Sequence, residues 1–496
     1  MRIHLMALLV GAFTLPACFG HVQKPVPPPP TLASVVDTLF ASIQDEGTTP
    51  SALVVDAETG ERLYARNERM RLIPASTMKV VSTAAVLSAL GAEHRYRTPV
   101  RLEGTLLGGL FLGDLTVEAS GDPSLGSWRF PETVNVCEQV ADALWQRGIR
   151  HWHGAVRVRS PEEGPFGPFG PGWAWDDAVY AYSAAPTPFS FRENSVDLVL
   201  ARAEGQSCSA PPTLSVSPAY GRVDAVVQID TSATRAGLSC VPVRNGARIR
   251  CVWRSPEKEC PRQASLRMAI PDPEALFAGC VTQAVASRGI LRVSLPPEAS
   301  AFHTLSTQET LVELLSPPLS ELVKATNKES INLYAERLAL SFVQARAGSV
   351  SYPVLRDVMA VELTRRGISP RLLRPVDGSG LSRYNLATTQ GLVEVLYTSL
   401  KEPYATVLVD SLPVVGVDGT LTTSAVSAAT RGRLRAKTGS LSGQRAYVGI
   451  AERPGDTAHP RVVFALMLGN MDDQPTVPGP QVFVHFAEAL VHLPLR

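Results

Sequence analysis

The chain has 496 residues, of which 45% are hydrophobic, so it is long enough to bury the cores of two or three domains. Its formal net charge is +1 and its basic residues form no run, so charge gives no indication of nucleic-acid binding. Composition therefore describes a multi-domain globular protein and leaves its function to the motifs along the chain.

The first 18 residues have the pattern of an export signal. Arg2 and His4 give a short positive start, and the apolar run 5–15 is too short to span a bilayer, which takes about 20 residues. The segment ends Leu-Pro-Ala-Cys18, which is similar to a bacterial lipoprotein cleavage site, although ordinary cleavage nearby is an alternative. We therefore expect a periplasmic or otherwise extracytoplasmic protein, anchored to a membrane through a lipid on Cys18.

Residues 19–32 form a proline-rich linker, in which residues 24–30 have the sequence Lys-Pro-Val-Pro-Pro-Pro-Pro. Such a segment favours extended polyproline II and would act as a stiff spacer behind an anchor. A disordered mature N-terminus is a second interpretation, and the two are compatible.

Strand and helix patterns at the two ends of the chain predict one α/β domain formed by residues 33–98 and 301–496. Its predicted strands are Ser51–Asp56, Arg62–Arg66, Arg433–Thr438, Gln444–Ala451 and Arg461–Gly469. Its predicted helices are Ser76–Leu90, Gln481–Val491 and a pair within Ser316–Val343 that is interrupted at Thr326–Ser330. Apolar residues surround the helix 76–90 on all sides, which indicates a helix buried at the centre of its domain.

About 250 residues separate the two parts of this domain, which is too many for a loop. We predict an inserted domain from residues 99–194 and 269–300, and a small β-rich domain from residues 195–268 nested inside it. The predicted strands of the insertion are Val100–Phe111, Ala155–Val158 and Asp197–Ala201, its predicted helices are Glu132–Gln146 and Pro273–Arg288, and Pro161–Gly172 is a predicted loop.

Six cysteines remain when Cys18 is set aside, and in an oxidising compartment an even number is consistent with three disulfides among 15 possible connectivities. A hairpin around Asn245-Gly246 would place Cys240 opposite Cys251, within disulfide reach. Two further pairs are guesses that follow from similar helices and from what then remains: Cys137 with Cys280, and Cys208 with Cys260. Free buried cysteines are the alternative.

No feature of the sequence indicates a metal site. The chain contains no Cys-x-x-Cys, and His151-Trp152-His153 alternates like a surface strand rather than a ligand pair. We therefore expect neither a metal nor another cofactor.

Ser76-Thr77-Met78-Lys79 is the first of three motifs that carry chemistry. Ser76 and Lys79 are three residues apart, so on a helix they share one face, about 5–6 Å apart at Cβ. A serine hydroxyl needs a base to remove its proton, and burial on this apolar helix would lower the pKa of Lys79 enough for that role. A chance Ser-x-x-Lys is the alternative, but an unpaired buried lysine is costly.

The other two motifs are weaker when each is taken alone. Ser330-Ile331-Asn332 lies at the predicted break between helices, where Ser330 could pass a proton and Asn332 could hold Lys79; an ordinary N-cap is the alternative. Lys437-Thr438-Gly439 lies at a predicted strand end, where a cation and a hydroxyl can bind a carboxylate and glycine lets substrate approach; a plain turn is the alternative.

In this order, the three motifs match the Ser-x-x-Lys, Ser-x-Asn and Lys-Thr-Gly set of penicillin-binding proteins and serine β-lactamases. The chain resembles the penicillin-binding protein 4 type of D-alanyl-D-alanine carboxypeptidase/endopeptidase over nearly all of its mature length. Four further segments carry the resemblance: Gly121-Asp122-Pro123-Ser124-Leu125, Gly172-Trp173-Ala174-Trp175-Asp176-Asp177, Asp377-Gly378-Ser379-Gly380-Leu381-Ser382-Arg383 and Ser411-Leu412-Pro413. The long insertion after the first motif is this family's hallmark.

The resemblance implies an α+β catalytic domain, with a five-stranded antiparallel sheet flanked by helices and two domains nested in the insertion. By motif position, Ser76 would form the acyl-enzyme with Lys79 as its general base. The N–H groups of Ser76 and Ser440 would form the oxyanion hole, and Lys437 and Thr438 would bind the substrate carboxylate.

The resemblance also implies the partners: peptidoglycan stem peptides ending in D-Ala-D-Ala, and β-lactams as acylating inhibitors. Asp177, Tyr182 and Arg383 occupy the positions at which the family reads the diaminopimelate side chain. The chain departs from the family pattern at Ile331, where a polar residue is usual, and at Ser440, where threonine is common. We expect neither change to abolish catalysis.

Two alternatives remain open on the sequence. A β-lactamase is disfavoured by the long insertion and by the lack of a recognisable deacylating glutamate motif. A catalytically idle scaffold that binds peptidoglycan is disfavoured because all six polar motif residues are intact, and a scaffold does not need all six.

Overall fold

The computed structural model describes residues 30–44, 46–160, 169–221, 223–243, 248–294 and 307–495. The predicted leader with Cys18, residues 19–29 of the linker, residues 161–168 of the predicted loop and the Asn245-Gly246 turn lie outside these residues. Within the described ranges, no helix has the length and apolarity needed to cross a bilayer. The same ranges contain no group of three or more His, Cys, Asp or Glu side chains placed to hold a metal ion.

Eleven α-helices occur in the described part of the chain. They are α1 (Leu32–Gln44), α2 (Met78–Leu90), α3 (Pro131–Val134), α4 (Val136–Gln146), α5 (Pro273–Ser287), α6 (Leu319–Lys328), α7 (Asn332–Ala347), α8 (Tyr352–Arg365), α9 (Thr389–Ser399), α10 (Ala405–Ser411) and α11 (Gly479–His492).

The described residues also form nineteen strands. They are β1 (Thr49–Asp56), β2 (Arg62–Arg66), β3 (Arg97–Leu107), β4 (Leu110–Glu118), β5 (His151–His153), β6 (Val156–Arg159), β7 (Ser195–Ala201), β8 (Thr213–Ser217), β9 (Ala225–Asp230), β10 (Gly237–Val243), β11 (Arg248–Arg254), β12 (Gln263–Ala269), β13 (Leu291–Arg292), β14 (Thr307–Leu315), β15 (Leu373–Arg374), β16 (Leu386–Ala387), β17 (Leu434–Leu441), β18 (Gln444–Glu452) and β19 (Arg461–Gly469).

The central sheet has five antiparallel strands in the order β17-β18-β19-β1-β2, so it joins the two ends of the chain. Alternate residues of β19 pack into two different cores. Val463, Ala465 and Met467 face α2 and its neighbouring helices, whereas Phe464 and Leu466 face α1 and α11. Because both faces are covered, this strand is a continuous apolar run rather than an alternating one. The expected five-stranded sheet flanked by helices is confirmed.

Helix α2 lies at the centre of the first of these cores. Every residue from Met78 to Leu87 is buried, including the polar Lys79. This agrees with the prediction made from its all-round apolar sequence, although the first turn, Ala75–Thr77, is a 3₁₀ turn that precedes the α-helix. This core therefore holds the start of the helix between the sheet and the surrounding helices.

The inserted region has its own sheet, in the order β13-β5-β4-β3-β14 with β6 paired to β4. The prediction of one strand over Val100–Phe111 is wrong: residues 97–118 form a hairpin that turns at Gly108 and Gly109, both at positive φ. β14 pairs with β3, so this sheet extends beyond residue 301, where we predicted that the catalytic domain resumes. The predicted helix Glu132–Gln146 is divided at Asn135 into α3 and α4.

Two small three-stranded sheets, β12-β7-β8 and β10-β11-β9, lie within residues 195–269. Disulfides join Cys137 to Cys280, Cys208 to Cys260 and Cys240 to Cys251. The first links α4 to α5 across the insertion, and the third joins directly opposite residues of β10 and β11. These are the same three pairs that we considered from the sequence.

Candidate active site

Ser76 lies in the 3₁₀ turn that leads into α2. The residue before it has a backbone conformation that few residues adopt. The preceding residue, Ala75, has a φ of 46°, in the left-handed region. The hydroxyl of Thr77 closes the turn by donating to the carbonyl of Pro74 at 2.7 Å. This turn places Ser76 Oγ 2.8 Å from Lys79 Nζ, one helical turn further along the chain.

Lys79 is fully buried and makes two further hydrogen bonds. Its Nζ donates to Asn332 Oδ1 at 2.5 Å and to the carbonyl oxygen of Ser379 at 2.9 Å. Burial lowers the pKa of Lys79 to about 7, against the opposing effect of the nearby Glu336 and Asp377 carboxylates. A neutral amine has two N–H donors and one lone pair. Because both donors are engaged, the lone pair is left for the hydroxyl of Ser76.

Two buried acids near Lys79 were given no role by the sequence reasoning. Glu336 accepts hydrogen bonds from the backbone N–H groups of Gly378 at 2.9 Å and Ser379 at 2.7 Å, and so fixes the segment whose carbonyl binds Lys79. Burial, together with the charge of Asp377, raises the pKa of Glu336. Its position four residues after Asn332, on the same helical face, is the signal that could have identified it.

The second motif lies at the break between α6 and α7. The break is shorter than predicted, because α6 continues through Thr326 to Lys328, whose Nζ binds Asp418 Oδ2 at 2.6 Å. Ser330 therefore stands in a tight connection with a φ of 59°. Asn332 is the first residue of α7, and its Nδ2 donates to the carbonyl of Tyr182 at 2.6 Å, which fixes the orientation of its amide.

The third motif lies inside β17, which extends to Leu441, and not at a strand end as predicted. The strand is longer because its partner β18 continues the ladder through Leu441↔Gln444. Lys437 is fully buried and donates to Ser330 Oγ at 2.9 Å, and burial with the nearby Lys79 charge lowers its pKa. Thr438 Oγ1 lies 2.9 Å from Thr420 Oγ1.

Gly439 lets this strand approach the turn that carries Ser76 closely. A Cβ at residue 439 would lie 2.5 Å from the carbonyl oxygen of Pro74 and 3.1 Å from the amide nitrogen of Ser76. We expected the glycine to give room for substrate. The structure shows that it first gives room for the protein's own backbone.

A cavity of about 340 Å³ opens above these motifs. It is lined by Ser76, Asp177, Tyr182, Ser330, Asn332, Gly380, Leu381, Arg383, Ser440, Leu441 and Ser442. The structure thus brings the predicted nucleophile together with all three residues expected to read the substrate side chain. Lys79, Lys437, Thr438 and Gly439 do not line this cavity. Tyr182 donates to Asp177 Oδ1 at 2.6 Å, at the exposed edge of the site.

A family model described as the D-Ala-D-Ala carboxypeptidase 3 (S13) family matches residues 32–488, which is most of the chain. The chain belongs to this family. It is therefore a serine-type D-Ala-D-Ala carboxypeptidase, and the resemblance drawn from its motifs is confirmed.

Known relatives agree with this assignment. The carboxypeptidase is 27% identical over 436 residues to a D-alanyl-D-alanine carboxypeptidase of Actinomadura sp. strain R39, covering 84% of this chain and 78% of the relative. It is 24% identical to D-alanyl-D-alanine carboxypeptidase DacB of Haemophilus influenzae, covering 89% and 88% of the two chains. The crystal structure of penicillin-binding protein 4 from that organism has the same fold, with a TM-score of 0.75, 22% identity, and coverage of 92% and 98%.

Proposed function

We propose that the carboxypeptidase acts through an acyl-enzyme on Ser76, with Lys79 as the general base. The observation that carries this proposal is the 2.8 Å contact between Ser76 Oγ and the fully buried Lys79 Nζ, whose pKa is lowered to about 7. Neutral Lys79 takes the proton of Ser76 as Oγ attacks the carbonyl carbon between the two D-Ala residues. The peptide bond then breaks, and an ester to Ser76 forms.

The second and third motifs support the departure of the terminal D-Ala. Ser330 passes a proton to the leaving amine in this proposal, which is supported by its place in the cavity lining and by the 2.9 Å between Ser330 Oγ and Lys437 Nζ. The N–H groups of Ser76 and Ser440 stabilise the oxyanion of the tetrahedral intermediate. Water then attacks the ester, releases the shortened peptide and restores the Ser76 hydroxyl.

The terminal carboxylate of the substrate binds against β17, beside Thr438 and Ser440. Lys437 belongs to the same strand and is fully buried. Burial and the charge of Lys79 lower its pKa. An arriving carboxylate favours the charged form of Lys437, because opposite charges stabilise one another in a buried site. Substrate binding and the protonation of Lys437 are therefore linked.

The proposed substrate is a peptidoglycan stem peptide, with Asp177, Tyr182 and Arg383 reading its diaminopimelate side chain. All three line the cavity together with Ser76. We include D-Ala–diaminopimelate crosslinks as substrates, since the same nucleophile serves both reactions, and β-lactams as acylating inhibitors. The Haemophilus influenzae protein, whose fold this chain shares with a TM-score of 0.71, is known in complex with a β-lactam.

We also propose an extracytoplasmic location, with residues 1–18 as the leader and Cys18 as the lipid acceptor. Three disulfides support an oxidising compartment, where such bonds persist. The inner domain boundaries at residues 194/195 and 268/269 remain proposals, whereas the pairing of β14 with β3 moves the outer boundaries of the insertion from 98/99 and 300/301 to the ends of these two strands, Arg97 and Leu315.

Intact-protein mass spectrometry after incubation with benzylpenicillin tests the mechanism. We expect the wild type to gain the mass of one penicillin, and Ser76→Ala to gain none. If the wild type gains no adduct, penicillin hydrolysis is measured next. Rapid hydrolysis would identify a β-lactamase, and no reaction would identify an inactive scaffold, so either result would overturn the proposal.

A further inference from the structure

A second cavity, of about 690 Å³, lies where the insertion meets α7 and the segment that follows α2. Its lining residues are Leu90, His94, Arg95, Tyr96, Arg97, Ala119, Ser120, Gly121, Pro188, Arg337, Leu340, Ser341, Gln344, Ala345, Gly348 and Val350. It shares no lining residue with the cavity above Ser76. Among these described lining residues three are arginines and none is acidic.

Arg337 contributes a buried positive charge to this cavity. Its side chain is only 4% exposed, and its hydrogen bonds go to two backbone carbonyls: Nε donates to Gly121 at 3.4 Å and Nη1 to Pro186 at 3.2 Å. No carboxylate forms an ion pair with Arg337 in the part of the chain that the structure describes. Arginine keeps its charge even when buried, so this cation lacks the counter-ion that buried charges require.

The other cations stand at the rim of the cavity. Arg95 donates to the carbonyl of Ser316 at 2.8 Å, a neutral acceptor. Arg97 is paired with Glu313 at 2.6 Å, and both side chains are exposed. Glu313 offsets the charge of Arg97, so the positive charge at the entrance comes from Arg95, and such a charge attracts anions and raises their local concentration.

The remaining lining is suited to a compact apolar group. Leu90, Pro188, Leu340 and Val350 supply apolar surface, and the Tyr96 hydroxyl is engaged with Ser341 Oγ at 2.7 Å. Small-molecule sites are usually mostly apolar pockets in which a few polar or charged groups orient the ligand. A guanidinium recognises the paired oxygens of a carboxylate or a phosphate.

From these observations we propose that this cavity is a second ligand site, which binds a small organic anion with its carboxylate or phosphate on Arg337. The site is separate from the catalytic cavity, and the proposal does not depend on the acyl-enzyme mechanism. The alternative is a purely structural role for Arg337, in which it connects α7 to the carbonyls of Gly121 and Pro186 by hydrogen bonds and binds no ligand.

Calorimetric titration of the full chain separates the two roles. Hippurate serves as the carboxylate probe and inorganic phosphate as the phosphate probe. The variants are Arg337→Met, which removes the cation, and Ala345→Trp, which fills the cavity from an exposed position of α7. Lys437→Met serves as the control for binding in the catalytic cavity.

We expect saturable binding of at least one probe, weakened tenfold or more by Arg337→Met and by Ala345→Trp, and retained in Lys437→Met. Which probe binds distinguishes a carboxylate ligand from a phosphate. The proposal is overturned if neither probe binds, if binding survives Ala345→Trp, or if Lys437→Met abolishes it. Should Arg337→Met fail to fold, Ala345→Trp alone decides.

Discussion

Lys79 shows how position alone changes the chemistry of a common side chain. An exposed lysine is a cation, but full burial lowers the pKa of Lys79 to about 7. Glu336 and Asp377 oppose that shift, so the two acids limit how far the pKa falls. The pKa of this amine is thus close to neutral pH, and a general base is most effective when its pKa is near the working pH.

This balance predicts the pH dependence of acylation. We expect the second-order rate constant with a chromogenic β-lactam to rise about tenfold per pH unit below neutrality and to level off near pH 7, as Lys79 loses its proton. Removing a negative charge favours the neutral amine, so Glu336→Gln moves this rise to lower pH. A profile that is identical in both proteins would show that Glu336 has no influence on Lys79.

At the scale of elements, the site is formed where three backbone segments approach more closely than side chains would allow. The turn that carries Ser76, the interior of β17 and the segment around Gly380 meet at Ala75 and Ser76. Gly380 has a φ of +89°, and a Cβ there would lie 1.9 Å from the carbonyl oxygen of Ala75. Two glycines, 380 and 439, are therefore needed for the geometry of Ser76 rather than for flexibility.

We expect Gly380→Ala to displace the nucleophile turn and to slow acylation by at least about tenfold, since small misplacements of reacting groups are costly. Gly91→Ala is the matched control: its φ is +80°, but its Cβ would meet nothing within 4 Å. That variant should acylate normally but lose about 1–3 kcal/mol of stability, because a φ of 80° with a ψ of 160° is a conformation that essentially only glycine adopts. Thermal unfolding and acylation rates measure the two effects, and equal acylation losses would contradict this account.

At the scale of the whole molecule, the insertion is tied to the second motif by an ion-pair network. Arg129 binds Glu193 at 2.7 Å and Glu329 at 3.1 Å, and Glu329 directly precedes Ser330. Glu193 also accepts from Tyr334, two residues beyond Asn332, at 3.2 Å. Glu193 is nearly buried, so the network supports the strained Ser330 connection from the insertion side.

Replacing Arg129 should therefore disturb the active site as well as the insertion. Breaking such a pair leaves Glu193 as an uncompensated buried charge, at a cost of about 3–5 kcal/mol. We expect Arg129→Met to lower both the melting temperature and the acylation rate. Arg147→Met removes another arginine of the insertion, from an exposed pair with Glu309, and should change neither. If Arg129→Met unfolds earlier but acylates at the wild-type rate, the network is purely structural.

Local sequence was sufficient to predict much of this protein. Apolar runs gave the strands of the central sheet to within about three residues, because burial on both faces requires a continuous apolar strand. The motifs and their order gave the family, since each motif is a short segment with a chemical requirement of its own, and three motif residues, Ser76, Ser330 and Asn332, line the cavity. The three disulfides join the pairs that we considered from the sequence. One pair followed from the register of a hairpin, and the other two were guesses.

Tertiary structure alone decided the remaining features. We did not predict from the sequence that β14 pairs with β3 in the sheet of the insertion. These strands are more than 200 residues apart, and pairing over such a distance leaves no local sequence pattern. Nor did it reveal the roles of Glu336 and Asp377, the ends of α6 and β17, or the cavity around Arg337. Each depends on which distant groups become buried together. Burial lowers the pKa of Lys79 and leaves Arg337 as a cation without a counter-ion, and both effects arise from the loss of water around a charge.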